Sequence, residues 1–393
     1  MRSRLTSALL SSCIAVGCVS TDYGAREVGQ APQNQASIEA SLRYESDEFE
    51  RRVQRAGARN TDPALMAYVQ RLGCAIAGQF CTEMRFYVLD TPDFNAAMAP
   101  NGMMLINAGL LLRLESEDEL AFVMAHEFGH YFENHSVERA GAIKNASRGG
   151  LLLTAGLLVT GAGALAALGY VPAMAGAMGF SRDQEREADL FAARSLNEQG
   201  YDAQASVRTW ENLRAEIGAS SNETTRRRFT RGSIFASHPL TEERIAYLRE
   251  AAQSAQHGAG VDKAAYRAVI RPHLKGWLEA EIAQRDPGAT LALLQRLQAQ
   301  NVDLGVLEYA RGEIYRYRDD PGDGALALAS YTRATAQADA PVETWRQIGV
   351  VQRKLGDLNA AADAFERYLE AAPEAGDRQL ITSLLSTLRE NQQ

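Results

Sequence analysis

From about Ser41 to Gln79 the spacing of apolar and polar positions is helical. Met84–Leu89 changes character, because Met-Arg-Phe-Tyr-Val-Leu is rich in residues that suit a strand. Thr91-Pro92-Asp93 marks a turn. Phe94–Met98 and Met103–Asn107 then read as two short strands joined through Pro100-Asn101-Gly102. Ser116-Glu117-Asp118-Glu119 has capping-box spacing ahead of an apolar run, so a helix is expected from Ser116 to about Asn134. An uncharged stretch, 149–181, follows. Beyond it the pattern predicts a polar helix over 182–198 and another over 202–216. A polar, basic loop from Ser220 to Ser237 leads to His238-Pro239 and a helix over 241–254. From about Asp262 the chain is helical throughout. The expected fold is α+β and mostly helical: a domain with a small sheet over 41–255, then an all-α region over 262–393.

The first forty residues read as an address. Arg2 and Arg4 precede an uncharged apolar and small-residue run, Leu5–Gly17, too short to span a bilayer. It ends in Ala15-Val16-Gly17-Cys18, which resembles a lipobox, with Cys18 lipidated after removal of residues 1–17. Leu10-Ser11-Ser12-Cys13 is an alternative with almost no apolar run before it, and plain signal cleavage is another. Residues 18–40 are rich in Gly, Gln, Ala, Ser and Asn and suit a flexible tether. Export implies an oxidising compartment. Cys74 and Cys81 are then the remaining cysteine pair, open to a disulfide or to two buried thiols.

Composition narrows the function. With 46% apolar and 23% charged residues the chain is neither disordered nor a disulfide-dense miniprotein. The net charge of -8 becomes -10 after loss of Arg2 and Arg4, which excludes a nucleic-acid-binding surface spread over the molecule. The 33 uncharged residues between Arg148 and Arg182 are long enough to cross a membrane once, but are rich in Ala and Gly. They suit a close-packed helical hairpin or plug, or a shallow membrane contact.

The chemistry sits in His126-Glu127-Phe128-Gly129-His130. On a helix, positions four apart share a face, so His126 and His130 can hold one metal together. Glu127 is placed to take a proton from a water that zinc has acidified. A third ligand is needed. His135 is badly spaced for it and reads as a polar helix-end histidine. Ser181-Arg182-Asp183-Gln184-Glu185-Arg186-Glu187-Ala188-Asp189 is better: Glu185 and Asp189 share a helical face, one to ligate and one to hold a ligand histidine by its other nitrogen. Glu187 points away, to solvent or a partner.

These three segments, H-E-x-x-H, S-R-x-x-E-x-E-A-D and His238-Pro239 with Arg244 six residues on, resemble the M48 zinc metallopeptidases, a gluzincin family with BepA-like, LoiP-like and mitochondrial branches. The resemblance covers about residues 60–250. It implies His126, His130 and Glu185 as zinc ligands, Glu127 as general base and Asp189 as the carboxylate behind a ligand. Asn95, Ala96, Pro100 and Gly102 match an edge strand to which a peptide substrate adds. His238 and Arg244 match groups beside the zinc that stabilise an oxyanion. In the BepA-like branch the matching histidine instead binds zinc as a fourth ligand and keeps the enzyme latent. Arg226-Arg227-Arg228 reads as a solvated basic patch.

Trp345, Gly349, Ala361, Phe365 and Pro373 fall in register with a tetratricopeptide repeat of about 34 residues. Gly312, Ala327, Tyr331 and Ala334 give a weaker preceding copy, and 262–300 a degenerate helix pair. Such pairs stack into a concave surface that binds proteins. The resemblance implies a zinc endopeptidase, and with the lipobox reading the expectation is a lipid-anchored enzyme of the bacterial envelope, facing the periplasm, that cleaves misfolded or stalled envelope proteins, its repeats recruiting substrate or an assembly machine. The alternative is a chaperone or assembly scaffold with little resting proteolysis.

Overall fold

The computed structural model describes residues 26–29, 37–146, 180–230, 238, 242–254 and 263–390. The segment read as a signal, Cys13, Cys18 and the uncharged stretch up to residue 179 lie outside them. Among the described residues no helix is long and apolar enough to cross a membrane.

The helical pattern over 41–79 resolves into two helices. Helix α1 is Ile38–Arg55 and α2 is Pro63–Ala77. The break is written in Asp62-Pro63: proline fits the first helical position, and the Asp62 carboxylate accepts from the Leu65 amide at 2.8 Å. Cys74, on α2, is joined to Cys81 by a disulfide with the Cα atoms 4.7 Å apart. Strands β1 (Arg85–Leu89), β2 (Ala96–Met98) and β3 (Met103–Asn107) form a sheet in the order β1-β3-β2. β1 runs parallel to β3, pairing Arg85 with Met103, and β2 runs antiparallel to it, pairing Ala97 with Leu105. β2 is therefore an edge strand, and it is shorter than the run Phe94–Met98 suggested.

β3 runs directly into α3 (Ala108–Arg113), then α4 (Glu117–Phe132) begins with the Ser116 hydroxyl accepting from the Glu119 amide at 3.3 Å. Every residue of α4 from Glu117 to Tyr131 is buried. Helix α5 (His135–Ala146) follows across Asn134, which adopts a positive φ of 56°. Helix α6 (Arg182–Glu198) starts with a capping box between Ser181 and Gln184. It crosses α4 at Gly129, where an added Cβ would come within 2.9 Å of the Ala188 Cα. Gly129→Val is expected to destabilise the protein by about 1–3 kcal/mol by prising the helices apart, and to lower zinc uptake because the two ligand-bearing helices separate. Urea unfolding and metal content would check this; both unchanged would mean that the crossing tolerates a side chain.

Helix α7 (Ala205–Gly218) is followed by α8 (Glu223–Thr230), inside the stretch read as a loop, and α9 (Glu242–Ser254). Glu223 pairs with Arg227 at 2.5 Å, one turn apart, which helps a basic run stay helical. Arg26, within the stretch read as tether, lies against the end of α4, and the Gly29 amide donates to Glu83 at 2.5 Å. The Arg26 amide donates to the Phe132 carbonyl at 2.8 Å, and its guanidinium reaches the Tyr131 carbonyl at 3.3 Å and the Asn134 side chain at 2.6 Å.

The remaining helices are α10 (Lys263–Ile270), α11 (Leu274–Ile282), α12 (Pro287–Gln298), α13 (Leu304–Arg318), α14 (Asp323–Thr335), α15 (Glu343–Leu355), α16 (Leu358–Ala371) and α17 (Arg378–Glu390). One hydrophobic core runs from Leu65 on α2 through α4 to Tyr266, Trp277, Leu293 and Ile314. The Tyr266 hydroxyl donates to the Leu111 carbonyl at 2.6 Å, and buried Arg113 bridges Glu216 and Glu281 at 2.7 Å each. The first helices beyond 262 thus share the core of the sheet-bearing part. The later ones pack as pairs, α13 on α14 and α15 on α16. In each pair a glycine faces an aromatic ring: a Cβ on Gly312 would come within 2.3 Å of Tyr331, and one on Gly349 within 2.5 Å of Phe365.

Candidate metal centre

A buried helix, one face of a half-exposed helix and one histidine build the centre. Helix α4 supplies His126 and His130 on one face, α6 supplies Glu185, and His238 arrives just ahead of α9. One donor atom from each of these four lies within 4.8 Å of all the others. The Nε2 atoms of His126 and His130 are 3.2 Å apart, and His126 Nε2 is 3.2 Å from His238 Nδ1. Glu185 straddles the pair, 3.6 Å from each Nε2, with Oε1 2.8 Å from His238 Nδ1. A tetrahedral zinc with bonds of about 2.0–2.1 Å sets its ligands about 3.3 Å apart. The donor chemistry, nitrogen and carboxylate oxygen, and the spacing both fit zinc.

Behind the donors lies a second set of groups. His126 Nδ1 is 2.9 Å from Asp189 Oδ1, so its proton sits there and Nε2 faces the centre. Asp189 is fully buried and is gripped by Arg244, whose Nε and Nη2 each donate at 2.8 Å, and by the Tyr247 hydroxyl at 2.5 Å. The remaining Arg244 nitrogen, Nη1, lies 2.8 Å from Glu185 Oε2. Arg244, read from sequence as an oxyanion group, therefore has its guanidinium taken up by two carboxylates.

Burial penalises every charge here, and the partners decide the outcome. Burial works to raise Glu185, but His238 and Arg244 outweigh it and hold the carboxyl below its usual range. The same contest at Asp189, settled by Arg244 and His126, leaves it ionised well below the usual range. Burial, then the neighbouring His126 and His238, push His130 far down, so it is the neutral imidazole a metal requires. Burial raises Glu127, against the pull of His238 and His126. Such a carboxyl is closer to the pH at which a general base works.

Glu127 sits beside the donor set, its Oε1 3.4 Å from His238 Nε2, and accepts from the Met98 backbone amide of the edge strand. Asn95 and Ala96 line a cleft with Phe122, His126, Glu127 and Trp210. Pro100 and Gly102 do not line it. They shape the β2–β3 turn, where Gly102 adopts a φ of 88° and its backbone lies against the Glu83 carbonyl. The cleft holds about 30 Å³, room for a water but not for a peptide side chain. Two residues at the centre escape the sequence pattern. Phe180 stacks on the His130 ring, 3.8 Å between centroids. His135, one turn beyond the zinc motif, is buried with its Nδ1 2.9 Å from His130 Nδ1.

Residues 60–252, just under half of the chain, match the model of Peptidase family M48. The chain carries an M48 metallopeptidase domain. M48 peptidases are zinc-dependent, in keeping with the donor set. The beta-barrel assembly-enhancing protease of Escherichia coli K12 is 27% identical over 218 residues, covering 52% of this chain and 42% of that one. A Vibrio cholerae protein whose name carries the same words is 28% identical over 263 residues, covering 63% of this chain and 52% of its own. The mitochondrial metalloendopeptidase OMA1 of Schizosaccharomyces pombe is 28% identical over 183 residues, covering 46% and 50%. The chain thus spans about half the length of the curated relatives it matches.

Proposed function

We propose that the protein is a zinc metalloendopeptidase of the bacterial cell envelope that hydrolyses peptide bonds in misfolded or stalled envelope proteins. The convergence of His126, His130 and Glu185 beside Glu127 and an edge strand carries this reading. The names of the Escherichia coli and Vibrio cholerae relatives support the envelope setting.

In the proposed mechanism the substrate lies along β2, whose outer edge pairs with no strand among the described residues and, apart from the Met98 amide taken by Glu127, offers backbone groups to an extended peptide. Bound zinc supplies Lewis acidity to the scissile carbonyl and to the attacking water. Glu127 accepts a proton from that water at its carboxylate and returns it to the leaving amine. Asp189 holds His126 in the tautomer that presents Nε2, and Arg244 keeps Asp189 and Glu185 ionised and in place. Cys18 carries the lipid anchor in this reading, which places the protein at the outer membrane facing the periplasm. The helix pairs α13–α16 recruit a protein partner or substrate.

A second state is favoured by the position of His238. Its Nδ1 occupies the fourth corner of the donor set, and the cleft beside it is too small for a side chain. We infer that this arrangement is the latent form and that substrate or partner displaces His238. His238→Ala is expected to raise cleavage of an unfolded protein substrate on the order of tenfold, because a latent enzyme works only in the fraction of time the fourth ligand is away. Zinc content, measured in parallel, should stay at one per chain. Silence of both wild type and His238→Ala with zinc in place would favour an assembly scaffold over a protease.

A further inference from the structure

His126 and His130 are anchored differently. The outer nitrogen of His126 meets a fully buried carboxylate, Asp189. The outer nitrogen of His130 meets another histidine: Nδ1 of His130 lies 2.9 Å from Nδ1 of His135, and Nε2 of His135 lies 3.3 Å from Glu187 Oε2. His135 is outside the donor set and 2% exposed, and the Glu187 side chain is 57% exposed.

Two Nδ1 atoms at hydrogen-bond distance share one proton, so the tautomers of the two rings are linked. His130 presents Nε2 to the donor set, and a metal takes the lone pair of a neutral imidazole. Its proton is then on Nδ1 and is donated to His135. His135 accepts at Nδ1, carries its own proton on Nε2 and donates that to Glu187. One choice, Nε2 of His130 free for the metal, settles every proton along the chain.

The Phe180 ring does not supply this information. It stacks on His130 with the two planes 17° apart, which fixes the plane of the imidazole. A half-turn about the Cβ–Cγ bond preserves that stack while bringing Cε1 where Nε2 was and Cδ2 where Nδ1 was. Only a hydrogen-bond partner on the outer side distinguishes the two. We propose that His135, oriented by Glu187, is a positioning residue that locks His130 in the tautomer and ring orientation presenting Nε2 to zinc. The inference rests on the zinc centre proposed above. The inner link carries more than the outer one, because His135 is buried and the Glu187 carboxylate is half in water.

The test is zinc affinity of the purified protein, read by competition with a chelating indicator, with melting of the metal-free form as a fold control. His135→Leu is expected to weaken zinc binding about 10- to 100-fold, the usual effect of losing a group behind a ligand. His135→Gln, whose side-chain carbonyl can accept the same proton, should recover most of that loss. Glu187→Gln should change affinity less than His135→Leu. Equal affinity in wild type and His135→Leu would overturn the proposal. So would an equal loss in His135→Leu and His135→Gln, since the bulk of the side chain and not its acceptor atom would then matter. Wild-type protein that takes up no zinc would overturn the metal centre itself, and this inference with it.

Discussion

Glu127→Gln is expected to lower cleavage by about 10²- to 10⁴-fold, the range that a positioned general base contributes. The substitution keeps the shape of the side chain and its acceptor oxygen for the Met98 amide, so the fold and the approach of β2 are retained. It removes the group that can carry a proton. Glu127 is not in the donor set, so zinc content should be unchanged. The comparison is best made in the His238→Ala background, where the fourth ligand no longer masks the chemical step. Turnover of an unfolded protein substrate within about twofold of the Glu127 parent would sink the mechanism, since that difference is far below the contribution of a general base.

What could be read in advance follows from how far each relation reaches along the chain. The pair His126 and His130 lies within one turn and a half of helix, and helix geometry alone sets the face. Glu185 and Asp189 obey the same rule on their own helix. Their meeting with α4 depends on the Gly129–Ala188 crossing, which no local pattern announces. Arg244 shows the limit from the other side. Its place six residues after His238 is legible, but its engagement with two carboxylates and not with the cleft is a matter of tertiary packing. His135 is rejected from sequence as a ligand because its spacing is wrong, and it indeed lies outside the donor set. The spacing that disqualifies it as a ligand is what lets it reach the back of His130 across the positive φ of Asn134. Arg26 is hidden by composition: its surroundings in the sequence are small and polar, and its seat is made by distant groups, the Phe132 and Tyr131 carbonyls at the end of α4, the Asn134 side chain and Glu39. Likewise the apolar spacing beyond residue 262 predicts helices correctly but says nothing of which core they join. Tyr266 and Trp277 belong to that of the M48 domain.

Arg244→Met should produce the largest loss of stability among single substitutions at the centre. The side chain is 3% exposed and is the cation for both Asp189 and Glu185, which are 0% and 2% exposed. Methionine fills much of the same volume but leaves two buried carboxylates without their partner. Breaking a buried pair from one side costs about 3–5 kcal/mol, mostly the penalty of the charge left behind. Tyr247→Phe, which removes one hydrogen bond to the same Asp189, should cost only about 0.5–1.5 kcal/mol. The two variants therefore separate loss of charge compensation from loss of a hydrogen bond at one acceptor. Metal should shift the result in a defined direction. Zinc binds only the folded chain at this site and places a second cation on Glu185. The deficit of Arg244→Met measured by urea unfolding should thus be larger with a chelator than with saturating zinc. It should not vanish with zinc, because Asp189 sits behind His126 and keeps only that imidazole and Tyr247 as partners. A metal-free Arg244→Met protein that unfolds at the wild-type urea concentration would mean that the two carboxylates are neutralised some other way, and that Arg244 is not what holds the ligand helices in register.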